Sequence, residues 1–288
     1  MTVQEKAYAK LNLSLDVAGR RSDGYHEMVM LMQTVSVCDE VTLRFEGQGV
    51  RARSALRYIP GDERNLAVRA AKLFFAALGE KEPGLTIELD KRIPVGAGMG
   101  GGSADAAAVL RALHRVYEGR LDREELFALA GQVGSDVAFC LAGGTMLATG
   151  RGEELRALPP LPECAFVIAK PAFSISTPEL FKSLDRTGVR THPDTAGLLE
   201  ALERGSLTEL CRRMYNVFED VDDRRLRTVR DIKGRLLDGG ALAAVMTGTG
   251  SAVFGVFESL AAAERCRAAM AGEQPFVCTA EAVGGFAL

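Results

Sequence analysis

Five glycines, at positions 96, 98, 100, 101 and 102, fall within the run Pro94-Val95-Gly96-Ala97-Gly98-Met99-Gly100-Gly101-Gly102-Ser103-Ala104. Glycine lacks a Cβ, so such a loop turns tightly and lets backbone N–H groups come close to a ligand. The residues after it, through Leu113, read as an alanine-rich helix. Unpaired N–H groups and the positive dipole end of a helix favour an anion, most often a phosphate. Ser103 is the one hydroxyl in the loop. The bland alternative is a flexible surface loop, against which stand the strand-like Leu85–Leu89 before the glycines and the helix after them. Lys10 and Asn12 share the polar face of an alternating segment, and Tyr25-His26 closes a turn-rich loop.

The kind of phosphate loop is narrowed by context. Gly96, Gly98 and Gly101 match G-x-G-x-x-G, but a dinucleotide unit needs a second strand after the helix. Here a second helix follows. No Gly-Lys-Ser/Thr occurs, which removes the Walker loop, and the V-A-I-K and H-R-D pair of protein kinases is missing too.

Composition sets the outer bounds. A chain of 288 residues, 47% hydrophobic and 25% charged, has room for two domains and a large core. A net charge of −3 gives no electrostatic case for nucleic acid or an anionic membrane. Cys38, Cys140, Cys164, Cys211, Cys266 and Cys278 are scattered, with no zinc spacing, and read as reduced thiols of a cytoplasmic protein. The first residues lack the apolar core of a signal peptide. Gly239–Phe257 carries no charge, but Thr247-Gly-Thr-Gly-Ser251 interrupts it, so two short strands around a turn are expected rather than a membrane span.

The elements that must position these residues follow in order. Alternation over 3–17 predicts a strand, with a loop at 19–27 and strands over 33–46 and 49–59. Asn65 caps a helix that ends at Gly79. After the glycine loop and its helix, Asp122 and Glu125 start a helix over 123–130 that stops near Gly131. Ser135 is expected to cap a short helical piece from Asp136, and 143–149 to be the last strand of this half. Pro159-Pro-Leu-Pro162 marks a linker. Beyond it come a strand at 164–169, helices near 178–185, 195–203, 206–214 and 222–237, strands at 242–246 and 252–257, a helix at 259–270 and a strand at 275–282. Without the helices between 178 and 214 the order is β-α-β-β-α-β, the ferredoxin-like unit with a helical insertion.

The loop resembles the nucleotide motif of the GHMP kinases, the superfamily of galactokinase, homoserine, mevalonate and phosphomevalonate kinases. Ala9-Lys-Leu-Asn-Leu-Ser-Leu15 and Met246-Thr-Gly-Thr-Gly-Ser-Ala-Val-Phe254 resemble two further motifs of that superfamily. Arg21-Ser-Asp-Gly-Tyr-His-Glu27 and Gly134-Ser-Asp-Val-Ala-Phe139 resemble its branch acting on a cytidine diphosphate-linked methylerythritol. The resemblance implies an α+β two-domain GHMP kinase fold. Residues 1–158 would form a domain like the second domain of ribosomal protein S5, and 163–288 the ferredoxin-like domain.

It also implies chemistry: transfer of the γ-phosphoryl group of ATP, with Mg²⁺, to a hydroxyl of a small-molecule substrate. The catalytic pair falls on Lys10 and Asp136, and the ATP site on Pro94 to Ala104. Asn12, Tyr25, His26, Phe181, Gly248 and Gly250 would bind the substrate, and Ser103 is the candidate for a metal contact. Taken alone, Lys10 and Asp136 would be a surface ion pair, Phe181 a core position of an amphipathic helix capped by Thr177, and Gly248 and Gly250 a plain hairpin turn. Many relatives carry a second serine where this chain has Ala104. Two rival functions are another small-alcohol kinase, of the homoserine or mevalonate type, and a non-catalytic nucleotide-binding module.

Overall fold

The computed structural model describes residues 1–288. Strands β1 (Thr2–Arg20) and β2 (His26–Arg44) form a hairpin of 19-residue arms. The second arm starts at His26, seven residues before the expected strand at 33. Met28, Met30, Leu31, Met32 and Val35 are all buried there, so both faces are covered and the alternation that marks a half-exposed strand is lost.

The edge of β2 away from β1 is shared by two strands. β4 (Leu85–Asp90) pairs with Glu40–Arg44, and β5 (Thr145–Thr149) with Met30–Gln33. β3 (Val50–Ser54) lies parallel to β4, and β6 (Glu154–Ala157) lies antiparallel to β5. The expected strand over 49–59 therefore stops at Ser54, whose Oγ accepts from Leu56 N and turns the chain. β5 is not the last strand of this half, because β6 follows it.

Four helices belong to this sheet. Asn65 caps α1 (Leu66–Ala77) through Ala67 N, and α2 (Gly101–Val116) lies along β1 and β2. α3 (Arg123–Val133) has the Asp122–Glu125 capping box, but it passes through Gly131 and ends at Gly134. α4 (Val137–Ala142) is a single short helix whose N-cap is Asp136, not Ser135.

The second sheet has the order β10-β7-β9-β8, from β7 (Ala165–Lys170), β8 (Ala243–Met246), β9 (Val253–Phe257) and β10 (Phe276–Glu281). With α8 (Leu226–Asp238) and α9 (Leu260–Ala269) this is the ferredoxin-like arrangement. Helices α5 (Thr177–Thr187), α6 (Thr195–Glu203) and α7 (Leu207–Arg213) form the insertion, with a 3₁₀ turn at Val217–Asp220. The N-cap of α5 is Ser176; Thr177 lies inside the helix and its hydroxyl bonds Thr249 Oγ1 at 2.7 Å. The uncharged 239–257 run is β8, a turn and β9, and no helix is long and apolar enough to cross a membrane. After β10 the chain returns to the first sheet, where Val283 N donates to Thr34 O and Phe286 N to Ala142 O.

Candidate active site

The glycine loop turns through positive φ at Gly96, Gly98 and Gly100 before α2 begins. At Gly98 (φ +76°) a Cβ would stand 2.2 Å from Thr247 O, so only glycine lets the two loops meet. The first intrahelical bond of α2 runs from Ala104 N to Gly100 O at 2.8 Å. The amides of Gly101, Gly102 and Ser103 precede it and have no partner within the helix. The side chains of Ala97, Met99 and Ala104 are buried in the core. Ala104 thus offers neither a free N–H nor an exposed side chain, and a serine hydroxyl there would point into the core. The amides left without a partner in the helix therefore end at Ser103.

Beneath the loop lies a buried cluster that sequence inspection does not reveal. Lys91 Nζ donates to Asp39 and, at 2.5 Å, to Asp105 Oδ2, with all three side chains almost fully covered. Asp39 Oδ1 also accepts from Arg92 N and Ile93 N. The cluster ties β2, the segment after β4 and the first turns of α2 together. Burial opposes the Lys91 charge, but the two carboxylates outweigh it and hold its pKa above the ordinary value. Burial raises Asp105 to about 7, and its Oδ1 has no hydrogen-bond partner.

The free edge of β1 receives the rest of the site. Lys10 N donates to Met99 O at 3.1 Å, Asn12 N to Thr247 Oγ1 at 3.1 Å and Leu15 N to Tyr215 O at 2.9 Å. The polar face of β1 is therefore not solvated: Lys10, Asn12, Ser14 and Asp16 are all buried. Lys10 Nζ stands 3.7 Å from Asp136 Oδ2 and donates to Asn12 Oδ1 at 2.5 Å. Asn12 Nδ2 reaches Met30 Sδ at 3.3 Å, so the amide expected to hold substrate hydroxyls is engaged within the protein. Asp136 caps α4 without a side-chain bond to the helix, which leaves its carboxylate free for chemistry.

The second glycine turn is anchored by a residue the motifs did not single out. Asn216 is buried and donates to Met246 O at 2.6 Å and Gly248 O at 2.8 Å. Ser251 is buried as well, its hydroxyl on Phe173 O at 2.6 Å. Gly248 reaches the site itself, since a Cβ there would lie 3.4 Å from Lys10 Nζ.

Two cavities meet at this point. One of about 340 Å³ is walled by the glycine loop, Lys91 and Asp105. A cleft of about 660 Å³ contains Lys10, Asn12 and Asp136 at one end and Tyr25, His26 and Phe181 at the other. Gly98 and Gly100 line both. Tyr25 is exposed, with the Arg151 guanidinium 5.1 Å from its ring centre. Its turn is set by Asp23 Oδ1, which accepts from Tyr25 N, and by Arg21, paired with Glu27 at 2.6 Å. The Tyr25 N–H is the chief reason that the Asp23 carboxyl titrates below its ordinary value. His26 does not stand apart from Phe181: the rings stack at 4.7 Å and 29°, and His26 Nε2 meets Asp185 Oδ1 at 2.6 Å. That stack leaves no gap between the His26 and Phe181 rings, so the open aromatic face at this end of the cleft includes the exposed ring of Tyr25.

A helix-borne glycine cradle opening onto a lysine–aspartate pair, with a ferredoxin-like unit closing the cleft, defines a small-molecule kinase. Residues 65–144 match the sequence model of the GHMP kinases N terminal domain and residues 198–274 that of the GHMP kinases C terminal. The chain belongs to the GHMP kinase family and, within it, to the 4-diphosphocytidyl-2-C-methyl-D-erythritol kinases. A kinase of that name from Clostridium kluyveri is 41% identical over 261 residues, covering 91% of this chain and 93% of its own. One from Bacillus subtilis is 44% identical over 259 residues, covering 90% and 89%. The crystal structure of a 4-(cytidine 5'-diphospho)-2C-methyl-D-erythritol kinase superposes with a TM-score of 0.81 at 35% identity, over 98% of this chain and 100% of that one.

Proposed function

We infer that the chain transfers the γ-phosphoryl group of ATP to the 2-hydroxyl of 4-diphosphocytidyl-2-C-methyl-D-erythritol, a step in making isoprenoid precursors by the non-mevalonate route. One observation carries this reading. The Lys10–Asp136 pair sits where the phosphate cradle and the aromatic cleft meet, at Gly98 and Gly100.

ATP occupies the smaller cavity with its phosphates on the amides of Gly101, Gly102 and Ser103. The alcohol substrate lies in the cleft with its hydroxyl at Asp136. The ionised carboxylate accepts or orients the hydroxyl proton, and Lys10 offsets charge on the attacking oxygen. Phosphoryl transfer is loose and largely dissociative, so holding the two oxygens in line matters more than removing the proton early. Tyr25 offers an exposed ring to the cytosine, and the His26–Phe181 stack closes the opposite side. Arg69 and Arg151 bring positive charge into the cleft for the substrate's diphosphate.

The residues present suit Mg²⁺ carried by the nucleotide. No group of three acidic, His or Cys side chains forms a cage, and Asp39 and Asp105 are already taken by Lys91. Mg²⁺ commonly keeps several waters and binds substrate phosphates with few protein ligands, and Ser103 is among the residues that line the nucleotide cavity. When bound, the ion would offset charge on the phosphate oxygens. Six free cysteines and the need for ATP support a cytoplasmic setting.

The test is ADP release with ATP, Mg²⁺ and the cytidylated methylerythritol, run beside mevalonate and homoserine. ADP is expected with the first alone. None with that substrate, or equal release with the other two, overturns the reading. The aromatic end of the cleft argues against the homoserine and mevalonate alternatives, because neither substrate carries a base to stack on it. For the mechanism, Asp136→Asn should lower kcat by roughly 10²–10⁴-fold, the usual range for a positioned acid–base group.

A further inference from the structure

Asp136 is held by a helix that cannot hold itself. α4 has six residues, and isolated helices below about 12–15 residues are marginal in water. Its last carbonyls are bound from outside. Arg111 Nη1 donates to Cys140 O at 2.7 Å, and Phe286 N donates to Ala142 O at 2.8 Å. The same two residues also grip β1. Arg111 Nη2 donates to Lys6 O at 2.7 Å and Nε to Glu5 Oε1 at 3.1 Å. The Phe286 ring stacks on Tyr8 at 5.6 Å and 23°, with the Arg111 guanidinium 4.4 Å from its centre. Gly143, just after α4, makes room for that ring, since a Cβ there would meet it at 2.6 Å.

We propose that Arg111 and Phe286 are positioning residues for phosphoryl transfer, a clamp that sets the spacing of Lys10 and Asp136 from behind. This rests on the kinase reading above. β1 and α4 are the two elements that carry the pair. Lys6 is four residues from Lys10, about 13 Å along a strand at roughly 3.3 Å per residue. Cys140 is one helical turn from Asp136, about 6 Å away, and its N–H closes that turn on Asp136 O at 3.0 Å. A shift at the clamp is therefore passed to the pair by short, hydrogen-bonded pieces of backbone. Residues 282–286 are led to this place by Glu281 N on Ser36 Oγ, Val283 N on Thr34 O and Gln33 Nε2 on Val283 O. The segment after β10 thus belongs to the catalytic half of the molecule.

The test uses Phe286→Ala, Phe286→Tyr and a chain lacking residues 284–288, because loss of Arg111 would strip Cys140 O and Lys6 O of their guanidinium donor and disturb both elements at once. A misplacement of about 1 Å can cost on the order of 10² in rate. Phe286→Ala and the shortened chain should lose roughly 10- to 100-fold in kcat, with KM for ATP and for the cytidylated substrate changed by less than about threefold, and Phe286→Tyr should restore most of the rate. Hydrogen exchange at Cys140 and Gly143 should quicken in the two damaging variants. An unchanged kcat in folded Phe286→Ala overturns the clamp, as does a change confined to KM. If the wild-type chain releases no ADP at all, the kinase reading fails instead; unchanged exchange at α4 would then reject the clamp separately.

Discussion

Lys10 donates to Asn12 Oδ1 at 2.5 Å, closer than its 3.7 Å approach to Asp136 Oδ2. The nearer partner is a neutral amide, so the ammonium is aimed without being neutralised. Asn12 is itself fixed by Met30 Sδ through its amide and by Thr247 Oγ1 through its backbone N–H. We propose that Asn12 acts as an orienting group for Lys10.

Asn12→Ala should accordingly act on turnover. It leaves Lys10 without its acceptor, and kcat is expected to fall by roughly 10- to 100-fold while KM for ATP stays within about twofold. Steady-state kinetics with each substrate varied in turn will separate the effects. A rise in the alcohol KM with kcat unchanged would return Asn12 to direct substrate binding.

His26→Ala addresses the other end of the cleft. Base stacking is worth about 1–3 kcal/mol, and loss of the ring that closes the site should raise KM for the cytidylated substrate about tenfold or more. With ATP proposed in the other cavity, its KM should barely move. An equal rise in both constants would indicate general damage to the fold, which a thermal unfolding curve would expose.

Where the site was readable from sequence, local chemistry did the marking. Glycines at 96, 98 and 100 announce positive φ, and Lys10 and Asp136 sit in short motifs. What stayed hidden was made by distance. Asn216 anchors Gly248 across 32 residues, Lys91 meets Asp39 across 52, and Arg111 reaches Lys6 across 105. No local period records such partnerships. The start of β2 is not marked by alternation because a strand buried on both faces looks like an unbroken apolar run. Gly131 reads as a stop because glycine weakens helices, yet the packing of Leu126, Leu129, Ala130 and Val133 carries α3 past it.

The buried Asp105 links stability to pH. Burial raises its pKa to about 7, from an ordinary carboxylate value of 3.8. Between those values the folded protein keeps a proton that the unfolded chain releases, so this group's contribution to stability falls as pH rises through the window. Asp105→Asn removes the titration and leaves Lys91 and Asp39 as a balanced pair. The difference in Tm between variant and wild type should therefore shift in the variant's favour from pH 5 to pH 8. A difference that is flat across that range would show that Asp105 stays ionised throughout.

Gly98 is the residue at which both glycine loops and both cavities touch. Thr247 Oγ1 donates to Gly98 O at 3.2 Å, and Thr247 O also accepts from Gly250 N at 3.0 Å. In Gly98→Ala the new methyl would meet Thr247 O at 2.2 Å while the backbone keeps φ near +76°. The left-handed conformation alone costs roughly 1–2 kcal/mol for an L-residue, and the clash can be relieved only by parting the loops. kcat/KM should fall by roughly 10²-fold or more for ATP and for the alcohol alike, since an ångström of misplacement is enough. Gly234→Ala is the matched control. It lies inside α8 with nothing within 4 Å of a Cβ, and should raise stability by about 0.5–1 kcal/mol with activity intact. Normal turnover in Gly98→Ala would mean that the loops separate freely, and that contact between them does not shape the phosphate cradle.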